Sequence, residues 1–73
     1  MTSNSSISSK LLTATLAHFK SQRDQALATL AIYFENPVAI GEHAGILEEI
    51  KTLTKQLSEA EEALQALESH FHY

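Results

Sequence analysis

The feature that most limits what this chain can fold into is an unbroken apolar spacing in its second half. Ile46, Ile50, Leu53, Leu57, Ala60, Leu64, Leu67 and Phe71 follow one another at alternating intervals of four and three residues. An α-helix turns once in 3.6 residues, so this alternation keeps all eight side chains on one stripe. That is the a/d seam of a helix packed lengthwise on another helix. A strand repeats every two residues and would split the set between its faces. The chain is therefore read as all-α, and as a protein that acts by binding other protein surfaces.

The first half supplies the helix to pack against. From Ser8 to Glu35 there is no Gly or Pro, and Ala, Leu, Gln and Lys dominate. Residues 1–7 read as a polar tail, and Ser5, Ser6 or Ser8 can cap the helix through a hydroxyl. Asn36-Pro37 ends it, because proline lacks an N–H and drives the preceding residue out of helical geometry. The expected organisation is one domain: a tail over 1–7, helix one over 8–35, a connector over 36–43 and helix two over 44–70. An eight-residue connector favours an antiparallel hairpin. Helix one has its own stripe of Leu12, Leu16, Phe19, Arg23, Leu27, Leu30 and Phe34. Folded back, Phe34 meets Ile46, Leu30 meets Ile50, Leu27 meets Leu53, Phe19 meets Ala60 and Leu16 meets Leu64.

Composition removes several function classes. The 73 residues include no cysteine and carry a net charge of -4. Thiol catalysis and thiolate zinc sites are excluded, and a nucleic-acid partner is disfavoured because phosphate binding needs clustered Lys and Arg. No apolar run approaches the ~20 residues of a membrane span. The start of the chain lacks a basic region followed by an apolar core, so the expected compartment is a cytoplasm, its own or a host's. Charge is unevenly shared. Lys10, Lys20 and Arg23 outweigh Asp24 and Glu35 in the first half, whereas seven glutamates face only Lys51 and Lys55 in the second.

Two helices alone make a thin core. Ile7, Leu11, Ala28, Ile32, Tyr33 and Leu47 lie beside or behind the main stripes. The economical way to cover them is a second hairpin, giving a homodimeric four-helix bundle with Leu11, Ile32 and Leu47 at the contact. The alternative is a different protein on the same face.

Few residues invite chemistry. Arg23 interrupts an apolar stripe; the leading expectation is that its guanidinium reaches the edge of the interface, and the sharper alternative is a register-fixing ion pair with Glu59 or Glu61, with Asp24 as its sequence neighbour. His18, His43, His70 and His72 show no spacing that converges two rings on one helix face. No catalytic triad order, phosphate-binding glycine loop or paired carboxylates are present. No enzyme activity, metal or cofactor is expected. In the connector, Val38 and Ile40 are expected to plug the end of the bundle. Asn36 can bond its own backbone, Gly41 supplies backbone freedom, and His43 can cap helix two beside Glu42. The same tip can also serve recognition.

The stretch Tyr33 to Ile50, YFENPVAIGEHAGILEEI, resembles a family of small proteins encoded by tailed phages, including those of marine cyanobacteria. The shared feature is an N-P-V-x-I-G-E-H turn between two helices, followed by an acidic helix. This chain departs from it with Ala39 in place of glycine and with Ala44-Gly45 where proline and an acid are usual. The resemblance implies phage origin and a helical hairpin, and it implies no activity or functional residue. The leading expectation is thus a non-enzymatic interaction module, a phage-encoded accessory protein that binds a host or phage complex. A small virion or assembly component and a metal- or ligand-binding bundle are the alternatives.

Overall fold

The computed structural model describes residues 3–36 and 44–72. Two helices account for almost all of them, α1 over Ser3–Glu35 and α2 over Ala44–His70, and there is no strand among the described residues. They pack along their length in opposite directions. Gln22 reaches the level of Gln56, and Tyr33 reaches Glu49. Leu12 lines a hollow together with Leu67. The result is a rod of 56 × 16 × 16 Å.

Helix α1 begins five residues before the Ser8 start expected from composition. Once a helix is nucleated, each added residue costs little, so a polar run of Ser and Asn can be carried as an extension of the strong segment behind it. At the other end the Asn36 N–H donates to the Ile32 carbonyl at 3.0 Å, closing the last turn. The roles expected of Pro37, Val38, Ile40, Gly41, Glu42 and His43 lie outside the described residues. In α2, a Cβ added at Gly45 would meet nothing within 4 Å, so no neighbouring side chain demands glycine there.

The seam of α2 is seen in its burial. Ala60 and Leu64 are buried, and Ile46, Ile50, Leu53, Leu57 and Leu67 are half-buried; only the terminal Phe71 is exposed. The seam of α1 differs from the stripe expected. Leu12, Leu16, Phe19, Arg23 and Leu30 are covered, but Leu27 and Phe34 are 45% and 64% exposed. Their places are taken by Ala26 and Tyr33. The covered set 12, 16, 19, 23, 26, 30, 33 keeps the four–three alternation throughout, as a continuous helix-on-helix contact requires.

The buried core among the described residues is small: Ala26, Leu30, Ala60 and Leu64, with no buried polar group. Two of the four are alanines. The register places Ala60 opposite Phe19 and Ala26 opposite Leu53, so each small residue receives a large one, the alternation that fills a narrow interface.

Leu30→Ala and Leu64→Ala should each cost about 2–4 kcal/mol, the usual loss for a buried leucine. Ala60→Leu should also destabilise, by about 1–3 kcal/mol, because the site has no room. Ala66→Leu, on an exposed position, should stay within about 0.5 kcal/mol. Urea unfolding followed by circular dichroism measures all four, and a stabilising Ala60→Leu would contradict the packing described.

Candidate interaction surface

Two long faces flank the seam, and they differ in chemistry. The rear face is built from residues that precede a seam position: Ser8, Thr15, Gln22 and Thr29 on α1, and Glu49, Gln56, Ala63 and His70 on α2. The front face is built from residues that follow one: Thr13, Lys20, Leu27 and Phe34 on α1, and Leu47, Thr54, Glu61 and Glu68 on α2. In an antiparallel pair each of these rows faces its own kind across the groove.

The rear is bridged. The Gln22 side-chain amide donates to the Gln56 carbonyl at 3.0 Å, and the Tyr33 hydroxyl donates to the Glu49 carboxylate. Thr15 and Thr29 turn their hydroxyls onto their own helix, to Leu11 and Gln25 carbonyls at 2.8 and 3.0 Å. Ser8, Gln22, Thr29 and Ala63 are half-buried. A shallow rear hollow is lined by Ser8, Leu11, Leu12, Thr15 and Leu67.

The front has no cross-helix hydrogen bond among the described residues, and all eight of its positions are exposed. Its connector-side third is apolar, with Leu27, Phe34 and Leu47 exposed and Thr54 beside them. Its other end is charged. There Arg23, Glu61, Leu64, Gln65, Glu68 and Ser69 line an open hollow of about 600 Å³.

Arg23 sits in the seam, half-buried, and its Nε donates to Asp24 Oδ1 at 3.0 Å. The alternative ion pair with Glu59 or Glu61 is not formed. Side chains of α1 lean toward its N-terminus, which carries the guanidinium along the groove into the hollow that Glu61 shares, while Glu59 is exposed on the outer side of α2. An exposed pair such as Arg23–Asp24 contributes at most about 1 kcal/mol, so register rests on packing.

The expected interface residues Leu11, Ile32 and Leu47 are all exposed, at 65%, 58% and 56%. They do not share a face. Leu11 lines the rear hollow, Ile32 lies three heptads on along the same row of α1, and Leu47 is on the front. Leu27 and Phe34, read from sequence as core, complete the front patch instead. The signal that identifies them is the strict continuation of the spacing of Leu12, Leu16, Phe19 and Arg23 through Ala26 rather than its larger neighbour.

The histidines are placed apart. The His18 ring meets the Phe19 ring edge-on, with centroids 4.9 Å apart, and His70 meets Phe71 at 6.3 Å. Among the described residues no three His, Asp or Glu side chains gather closely enough to hold a metal ion. His43 lies outside them. No described helix is long and apolar enough to cross a membrane.

The chain matches no protein-family model, and comparison with curated proteins and with solved structures finds no match.

The rear bridge makes a pH prediction. The hydrogen bond to Glu49 and the negative charge of that carboxylate both hold the Tyr33 hydroxyl protonated, raising its pKa above the ordinary 10.0. A pKa raised by folding means that the stabilisation is complete below the unfolded value and is lost as pH climbs through the folded one. Ultraviolet titration should therefore show Tyr33 ionising above its ordinary range. Glu49→Gln should bring it back, with Tyr33→Phe identifying the signal against Tyr73. An unchanged titration in Glu49→Gln would remove the bridge.

Proposed function

We propose that this chain is a non-enzymatic protein–protein interaction module, a helical hairpin that self-associates through its front face. The observation that carries the reading is surface area. A compact monomer of 8.0 kDa exposes about 4,500 Å², whereas this hairpin exposes 5449 Å². The excess is close to the ~800 Å² that one partner contributes to a stable interface. Seven large apolar side chains among the described residues are exposed, and three of them, Leu27, Phe34 and Leu47, share one end of the front. The resemblance of the connector to phage proteins supports a phage-encoded accessory role, with the paired hairpins presenting a surface to a host or phage complex.

Sedimentation over a range of concentrations tests this reading. The chain should pass from monomer to dimer near micromolar concentration, and its melting temperature should rise with concentration because association stabilises the folded form by mass action. Phe34→Glu should shift the population strongly toward monomer, since dimerisation would bury an unpaired charge. Ile32→Glu, on the other side of α1, should leave it nearly unchanged. A folded monomer at every concentration would end the self-association reading and transfer the front face to a different protein.

A further inference from the structure

The charge pattern of the front face points to one arrangement of the pair: we propose that a second copy docks front to front with both connectors at the same end. This rests on the self-association reading above and adds the orientation to it.

The front is divided twice. Along its length it is apolar near the connector, at Leu27, Phe34 and Leu47, and charged toward the open end. Across its width the charges of these two rows separate by helix, with Lys20 on α1 and Glu61 and Glu68 on α2. These three side chains are exposed and make no ion pair among the described residues.

A two-fold axis running along the rod sets α1 of each copy beside α2 of the other, antiparallel and level with it. Phe34 and Leu27 then meet the partner's Leu47 and Thr54, while Lys20 meets the partner's Glu61 and Thr13 meets its Glu68. Phe34 finds the apolar Leu47, Leu27 finds the uncharged Thr54, and Lys20 finds the opposite charge of Glu61. Reversing one copy does the contrary. Lys20 lies near the middle of α1, so a reversed copy brings it toward the partner's Lys20. The apolar third is then laid on the charged end, and the acidic α2 lies against the acidic α2 of its partner. Juxtaposed like charges are strongly disfavoured at an interface. One long face of a rod 56 Å by 16 Å supplies about the 800 Å² per partner that stable interfaces use. The rear offers no equivalent, because Gln22 and Tyr33 already bond across to α2, Thr15 and Thr29 bond to their own helix, and its exposed apolar residues Leu11 and Ile32 stand roughly 30 Å apart along α1.

Two measurements on the full chain test the orientation. Lys20→Glu and Glu61→Lys are made separately, and circular dichroism confirms that both stay helical. Lys20→Glu alone should weaken the homodimer about tenfold or more. When the two variants are mixed, each copy meets an opposite charge at both contacts, so heterodimers should exceed the statistical half. The chain has no cysteine, so Glu35→Cys carries a single spin label near the connector. The two labels should lie within about 30 Å in the proposed pair and more than about 40 Å apart in the reversed one. Short distances with heterodimer preference support the proposal. Long distances in a persisting dimer, or a statistical mixture, overturn this orientation and leave self-association standing. An unsubstituted chain that never dimerises overturns both.

Discussion

Everything in this hairpin depends on how closely its two helices approach at Ala26 and Ala60. These are its most deeply covered residues, and neither contributes much apolar area of its own. Their value is what they permit. A methyl group at the seam lets the opposing backbone come near, so the large residue across it, Phe19 or Leu53 by the register, is gripped between helices. Gln22 and Gln56 lie at the level between those two alanines, and the 3.0 Å bond from side chain to backbone exists only because the axes are close. Larger residues at both positions would push the helices apart and forfeit packing and hydrogen bond together.

The difference between the two faces follows from that approach. With the backbones fixed, what bridges the groove is decided by which side chains flank it. On the rear, Gln, Tyr, Thr and Glu can reach across or turn back onto their own helix, and they do. On the front, Leu27, Phe34 and Leu47 have nothing to donate or accept, and Lys20 and Glu61 remain solvated. One face is thereby bridged within the hairpin, and the other keeps its apolar and charged side chains exposed.

The all-helical, two-helix architecture was legible in the sequence for a simple reason. In α2 five of the eight seam residues stand between polar neighbours, and Leu64 and Leu67 adjoin no apolar residue larger than alanine, so one stripe stands out. In α1 that isolation fails at Ala26-Leu27 and Tyr33-Phe34, where adjacent residues are both apolar. Side-chain size favours Leu27 and Phe34, whereas helix geometry favours Ala26 and Tyr33, and geometry prevails because a one-residue shift turns a side chain by about 100°. That single ambiguity hid Leu27 and Phe34, most of the front patch. The cross-helix reach of Gln22 and Tyr33 was illegible for another reason. It depends on interaxial distance, which is set by the alanines and not by any local pattern. The partner chosen by Arg23 turned on side-chain direction, which carried it along the groove rather than across to Glu59.

The thinness of the core has a consequence in heat capacity. Unfolding raises heat capacity mainly by wetting apolar surface, and among the described residues four side chains are buried while the rest of the seam is half wet already. The increment for a lone hairpin is therefore small, and its free energy of folding varies weakly with temperature. Such a curve is a low, broad dome: a shallow maximum, a gradual melt and little loss on cooling. Covering the front face in the proposed pair would remove more apolar surface from water and steepen the curve, so temperature would govern such a pair far more sharply than the single rod.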